Sequence, residues 1–179
     1  MSEDFNGLDL LTNDHIVLPE NEQTDEAARA MVHGRADFAI VRGRTGHAVA
    51  IVSRAHLAQY PARHLSEMLR QNHFGPMPVA DISSPVWKDR RALALMLGQN
   101  PSAPGIVAMD GDTPLGIAPA KNIHGHREDF LTPSLDSLGG QPDPIIRVFT
   151  CPNNDYSVVV ATYDPSSPPT CPNDGKVLV

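Results

Sequence analysis

The first two-thirds of the chain carry one pattern twice. Each copy has a short helix-forming stretch, an apolar stretch suited to a buried strand, a glycine-bearing turn and a second apolar stretch. The copies start at Thr24 and Lys88, and equivalent positions lie roughly 66 residues apart. Because an internal repeat decides the architecture before any single element does, we expect a pseudo-symmetric pair of units. We also expect the helices at residues 26–32 and 91–97 to meet in the core that the two units share.

The apolar patterns within the copies indicate a mixed α/β chain. In the first copy, helical spacing over residues 27–32 is followed by short apolar runs at 38–41 and 48–52. The second copy repeats the helix at residues 92–97 and ends its strands at Ile117. A further helix is predicted between the copies, over residues 64–71.

The opening of the second copy resembles the cystathionine-β-synthase (CBS) domain, a βαββα unit that occurs in tandem pairs. The similar residues are VADISSPV at 79–86 and ALALM at 92–96, and Gly116-Ile117 stands where the family has its Gly-Ile turn. The resemblance covers residues 16–123. It implies an α/β (α+β) fold of two CBS-like repeats, while another α/β repeat with similar helix and strand lengths is the alternative.

The resemblance also implies a cleft in which CBS pairs often bind adenosine nucleotides. In such a cleft a hydroxyl and a carboxylate three residues on would hold the ribose. Here Ser53 supplies the hydroxyl, but His56 replaces the carboxylate, and Asn122 occupies the equivalent place in the second copy. Ser53, His56 and Asn122 are therefore the candidate ligand contacts if the cleft binds a ligand. Ser53 as a plain helix cap and His56 as a surface histidine are the favoured alternatives, so we expect no useful affinity for AMP or ATP.

The C-terminal segment, residues 148–179, resembles a zinc ribbon. Two Cys-Pro-Asn turns, at Cys151 and Cys171, flank a predicted strand. In a zinc ribbon each turn supplies two cysteines to a tetrahedral site, whereas this chain has Asn154 and Asp174 in the second positions. The segment is too short to bury a core of its own, so it needs support from the repeat domain.

Three interpretations of this ribbon remain open. Zinc could bind through Cys151, Cys171 and Asp174, with a water or a histidine as the fourth ligand. The two thiols could instead form a disulfide, although a reducing compartment disfavours one. A metal-free ribbon is the favoured interpretation, so no cofactor is expected.

Composition and charge limit the function classes. The 179 residues carry a formal net charge of −7 and no cluster of basic residues, which argues against nucleic-acid binding. No stretch approaches the roughly 20 apolar residues of a membrane span, and the start lacks the features of a signal peptide, so we expect a cytoplasmic protein. We divide the chain into a loose N-terminal segment (1–14), the repeat domain (15–123), a linker (124–147) and the ribbon (148–179).

The sequence lacks the nucleophile, phosphate-loop and metalloprotease motifs of common enzymes. We therefore expect a non-catalytic accessory or scaffold protein that acts through contacts with a protein partner or a second copy of itself. A regulatory sensor of an adenine nucleotide or a related small molecule is the alternative. The candidate partner contacts on the ribbon hairpin are Tyr156, Val158, Val160 and Tyr163, although packing within the hairpin is an alternative role for them.

Overall fold

The computed structural model describes residues 5–125, 145–153, 155–161 and 165–179. Within these ranges the chain forms five α-helices and eight strands in two mixed sheets, which confirms the predicted α/β class. None of the described helices is long and apolar enough to cross a membrane. In chain order the elements are β1 (His15–Pro19), α1 (Thr24–His33), β2 (Phe38–Arg42), β3 (Ala48–Ser53), α2 (Arg54–Ala58), α3 (Leu65–Arg70), β4 (Met77–Asp81), α4 (Arg90–Gly98), β5 (Gly105–Asp110), β6 (Thr113–Pro119), α5 (Ala120–His124), β7 (Ile146–Thr150) and β8 (Ser157–Ala161).

The two copies fold into units of the same topology. The first sheet has the order β1-β2-β3, with β1 parallel to β2 and β2 antiparallel to β3. The second unit repeats these relations with β4, β5 and β6. Each unit is therefore a βαββα repeat, as the sequence predicts, and α3 occupies the predicted connection between the units.

The shared core lies between the two sheets. Alternate residues of the strands point inward, so that Ile40 and Ile51 of the first unit pack with Val107 and Ile117 of the second. The predicted meeting of the two repeat helices is wrong. Helix α1 packs in a separate cluster with its own sheet, and α4 does the same in the second unit. The reason is that each helix has one apolar stripe, which covers the outer face of the sheet beside it.

Residues 5–14 are packed, although the sequence suggested that residues 1–14 form a loose segment. A short 3-10 helix, Gly7–Leu10, lies against Trp87 and Leu93 of the second unit. A Cβ atom on Gly7 would come within 2.7 Å of the Leu93 side chain and 3.0 Å of the Trp87 backbone oxygen, so this close approach favours glycine. Thr12 then exchanges two backbone hydrogen bonds with Ile117 of β6. The leucines of this segment bury apolar surface against the second unit. This burial holds the segment in place in spite of its polar residues.

The C-terminal hairpin continues the sheet of the second unit. Strand β8 pairs in parallel with β4 and antiparallel with β7, which gives a five-stranded sheet of order β6-β5-β4-β8-β7. Val159 and Ala161 of β8 join the cluster that contains α4. This pairing supplies the outside support that so short a segment requires.

Candidate functional site

The candidate nucleotide contacts of the first unit lie where β3 meets α2. Ser53 caps α2, because its hydroxyl accepts the backbone N–H of His56 at 3.3 Å. The His56 ring is partly buried against Phe74, and its Nδ1 atom is buried without a hydrogen-bond partner. Burial lowers the pKa of His56, and a hydrogen bond to the backbone of Ser102 opposes the shift. Both side chains thus contact other residues of the first and second units, Ser53 as a helix cap and His56 through Phe74 and Ser102.

The candidate contact of the second unit, Asn122, lies on α5. Its side chain is exposed, and its backbone carbonyl accepts a hydrogen bond from Arg90 at 3.1 Å. The guanidinium of Arg90 also lies over the ring of Phe5, 5.3 Å from the centroid. In the described part of the chain, Asn122 contacts Arg90 rather than Ser53 or His56, so the three predicted residues are not joined into one polar site by hydrogen bonds.

A cavity lies where the β2–β3 turn of the first unit and the β5–β6 turn of the second unit meet the C-terminal ribbon. Its volume is about 550 Å³, which is in the range of small-molecule sites. The first unit contributes the turn before β3, the second unit contributes the end of β4 and the β5–β6 turn, and the ribbon contributes a wall. The polar lining residues are His47, Asp81, Ser83, Ser84, Asp112 and Thr170. Sequence reasoning missed this cavity, because its walls come from three separate parts of the chain.

The polar lining of the cavity is rich in hydrogen-bond acceptors. The carboxylate of Asp81 accepts hydrogen bonds from the hydroxyl and backbone N–H of Ser83, at 2.6 and 2.9 Å, and from the N–H of Gly111. The Ser83 hydroxyl is the main reason that the pKa of Asp81 is lowered. Next to Gly111, the carboxylate of Asp112 lies 3.8 Å from the imidazole of His47, and the Asp112 side chain is 86% exposed. Two carboxylates thus border one cavity, with Asp112 at its rim.

The hairpin residues predicted as partner contacts are mostly part of the interior. Val158 is 3% exposed and packs with Phe149 and the two cysteines. Tyr156 is partly buried and contacts three of the four apolar clusters, and burial raises the pKa of its phenol. Val160 is partly buried and lines the cavity. Tyr163 lies outside the described residues.

The predicted metal residues Cys151, Cys171 and Asp174 come together. One ligand atom from each lies within 4.8 Å of the others. The Cys151 thiol donates to the Asp174 carboxylate at 3.8 and 3.9 Å, and the two thiols contact each other. Both cysteines are free and 2% exposed. Zinc that is bound tetrahedrally places sulfur and oxygen ligands about 3.5–3.7 Å apart and two sulfur ligands about 3.8 Å apart, so this donor set fits zinc.

The structure adds a fourth residue that the sequence analysis missed. The thiol of Cys171 donates to Asp155 Oδ1 at 3.8 Å, and the Asp155 side chain also interacts with Cys151. In a zinc ribbon the second ligand of each turn stands three residues after the first cysteine. At that position the first turn has Asn154, which lies outside the described residues. Asp155 is the next residue, and the order Asn-Asp after the first Cys-Pro-Asn turn was the available signal.

Burial and the two carboxylates keep the thiols protonated in this arrangement. Burial raises the pKa of Cys151 and raises that of Cys171 to about 12. The backbone N–H of Lys176 is the main cause of the lowered pKa of Asp174. Asn153 donates to the same carboxylate at 2.7 Å, and the Lys176 ammonium lies 3.5 Å from it.

Comparison with known proteins identifies the fold. No protein-family model matches this chain, and no curated protein matches its sequence. Among solved structures, an uncharacterized conserved protein from Pyrococcus horikoshii is similar with a TM-score of 0.50 and 12% identity, over 71% of this chain and 95% of that one. A hemolysin-like protein containing a CBS domain from Oenococcus oeni PSU is similar with a TM-score of 0.50 and 11% identity, over 68% of this chain and 89% of that one.

The soluble part of a magnesium transporter is also similar, with a TM-score of 0.50 and 15% identity over 73% of this chain. The match covers half of that longer protein chain. At these identities the similarity shows the fold alone. The fold is that of a CBS-domain pair, in agreement with the resemblance seen in the sequence.

Proposed function

We propose that this chain is a non-catalytic regulatory module that binds a small cationic metabolite in the cavity between its two units. The observation that carries the proposal is the cavity of about 550 Å³, which presents the carboxylates of Asp81 and Asp112. Apolar side chains such as Met77 and Met109 form other parts of its wall. A few convergent polar groups in an otherwise apolar wall are typical of small-molecule sites.

The charge of the cavity favours an amine or a guanidinium. Carboxylates accept hydrogen bonds and bind cationic donors more strongly than neutral ones. The hydrogen bonds from Ser83 hold Asp81 in its charged form and fix its orientation. Such a ligand is chemically unlike the adenine nucleotides that the CBS resemblance suggests.

The hydroxyl groups of the lining shape the binding surface. The Ser83 hydroxyl donates to Asp81, and the Ser84 hydroxyl accepts the backbone N–H of Val86. These hydrogen bonds hold the loop after β4 in place and orient the Asp81 carboxylate for a cationic ligand.

A ligand in this cavity would contact both units and the ribbon at once. Because it binds best when all three walls are in place, it stabilises the arrangement in which the two units and the ribbon are packed together. This coupling is the physical basis of the proposed regulatory role.

The test is a thermal-shift screen of the full chain with arginine, agmatine, spermidine and choline as cationic probes. AMP, ATP and a neutral sugar serve as contrasting probes. A probe at one hundred times its dissociation constant stabilises the native state by about 2.7 kcal/mol. We expect a shift with at least one cationic probe and none with the nucleotides.

Two tryptophan variants locate the binding site. Thr170 lines the cavity, and Val177, its partner in an isolated β-bridge, does not. Thr170→Trp should abolish the shift by filling the cavity, whereas Val177→Trp should preserve it. The proposal is wrong if no cationic probe shifts the transition or if Thr170→Trp leaves the shift unchanged.

A second candidate function, contact with another copy of the chain, is favoured by one observation. Strand β7 is an edge of the five-stranded sheet in the described part of the chain. Thr150 at its end exchanges two backbone hydrogen bonds with Val179, while Val148 nearer its start is 40% exposed. Edge strands pair readily with one another, so we propose a twofold dimer through β7. Light scattering should then show a dimer that Val148→Lys converts to a monomer; a wild-type monomer at high concentration contradicts it.

A further inference from the structure

We propose that Cys151, Asp155, Cys171 and Asp174 form a four-ligand zinc site that joins the two turns of the ribbon. The zinc-ribbon resemblance implies zinc, but the sequence supplied only three ligands and favoured a metal-free ribbon. The contacts of Asp155 with the two thiols change this expectation, because they provide the missing ligand within the chain itself.

The contacts among the four side chains carry the inference. Cys151 and Cys171 contact each other, and each thiol interacts with both carboxylates. The distance is 3.8 Å from Cys151 Sγ to Asp174 Oδ2, and it is also 3.8 Å from Cys171 Sγ to Asp155 Oδ1. The two thiols thus interact with each other and with both carboxylates, while the pair of carboxylates, Asp155 and Asp174, is the one that is still apart.

These distances are close to those of a bound metal. With Zn–S of about 2.3 Å and Zn–O of about 2.0–2.2 Å, tetrahedral angles place sulfur and oxygen ligands about 3.5–3.7 Å apart. Each of these two sulfur–oxygen distances therefore needs to shorten by about 0.1–0.3 Å. Asp155 stands outside the group of three residues whose ligand atoms all lie within 4.8 Å of one another. Its side chain, which is partly exposed, therefore has to rotate toward Asp174 when zinc binds.

Groups around the four ligands suit the charge of such a site. The backbone N–H of Asn153 is directed at the Cys151 sulfur, and those of Asn173 and Asp174 are directed at the Cys171 sulfur. The side chains of Asn153 and Lys176 bond to the Asp174 carboxylate. Outer groups of this kind orient metal ligands and offset the negative charge of thiolates.

The metal has a route to the site and a clear chemical identity. A cavity of about 210 Å³ is lined by Asp155, Asn173 and Asp174 and opens beside the cluster. Two thiolates in a tetrahedral set select zinc over magnesium, calcium or manganese, which prefer oxygen ligands in larger coordination shells.

The test measures metal binding directly in the full chain. Protein purified with added zinc and then desalted should retain one zinc per chain by elemental analysis. Cobalt(II) bound to the metal-free protein should give the intense visible absorption of tetrahedral cobalt, with a thiolate charge-transfer band. Zinc should displace the cobalt and protect two thiols from a thiol reagent.

Substitutions assign the fourth ligand. Asp155→Asn preserves the shape of the side chain and should weaken zinc binding about tenfold or more, by analogy with the losses caused by altering metal-site partners. Asp110→Asn, which removes an exposed turn carboxylate outside the cluster, should leave the affinity unchanged. Circular dichroism checks that both variants are folded. Cys171→Ser should lose the charge-transfer band of one thiolate.

Each outcome decides the proposal. One retained zinc that depends on Asp155 supports it. One retained zinc with unchanged affinity in Asp155→Asn overturns the four-ligand assignment, and well under one zinc with the weak absorption of octahedral cobalt overturns the site. The result is independent of the cationic cavity, which is tested by Thr170→Trp.

Discussion

Replacement of Tyr156 by alanine should destabilise the whole protein, because this ring connects the ribbon to the CBS-like pair. Tyr156 contacts the cluster of the first unit, the core between the sheets and the cluster of the ribbon. If it were a free contact for a partner, as the sequence suggested, its removal would not affect stability. The two roles therefore predict different free energies of unfolding.

The magnitude follows from the burial of the ring. Truncation of a buried aromatic side chain to alanine costs about 3–5 kcal/mol. Tyr156 is partly exposed, so we expect a loss near the lower limit, about 3 kcal/mol. With a urea dependence of about 2 kcal/mol per molar, the midpoint of unfolding should fall by about 1.5 M.

The assay is equilibrium urea unfolding with two controls. Tyr156→Phe keeps the ring and should cost less than half as much as Tyr156→Ala. Val148→Ala truncates a side chain on the same hairpin that is 40% exposed, and it should change stability by no more than about 0.5 kcal/mol. If Tyr156→Ala proves as mild as Val148→Ala, the ring does not hold the ribbon to the pair.

Three further predictions concern other parts of the fold. Gly105→Ala should lower the free energy of unfolding by about 1–3 kcal/mol or more, because the added Cβ would lie 2.4 Å from a backbone oxygen of β6. The control, Gly98→Ala, adds a Cβ that meets no atom within 4 Å and should not destabilise the protein. Equal thermal stability of the two variants would contradict this prediction. Asn100→Ala should cost at least about 1–3 kcal/mol, because the buried amide donates to two backbone carbonyls before β4, and chemical unfolding checks it. The free energy of unfolding should fall as the pH drops below 6.5, the ordinary histidine pKa. Burial lowers the pKa of His56 in the folded chain, so the unfolded chain binds more protons in this range. His56→Gln should make stability less dependent on pH, and an unchanged pH dependence would refute the role of His56.

The repeat and the strand patterns of the first two-thirds were predictable because they are local. A helix needs apolar residues at intervals of three and four, and a buried strand needs a short apolar run, so both can be read within a few residues. The same holds for Ser53, whose capping contact reaches only to His56. The interpretation of these patterns as a CBS-like pair agrees with the fold.

The site residues were less predictable because they depend on the path of the backbone between distant segments. Whether Asn154 or Asp155 can face the two thiols is decided by the shape of one turn, which residue spacing does not report. Asn122 occupies the position in the second copy that His56 occupies in the first, but equivalence in a repeat does not bring side chains into one site.

The sequence by itself therefore determined the class of fold, the twofold repeat and the two cysteine turns, since each is a pattern of neighbouring residues. Only the tertiary structure decided that the sheets rather than the helices form the shared core, and that Tyr156 belongs to it. It also decided that His47 and Asp112 from different units face one cavity, 3.8 Å apart. These are contacts between segments far apart in the chain, and they arise from the packing of whole sheets, which sets distances that no local sequence pattern encodes.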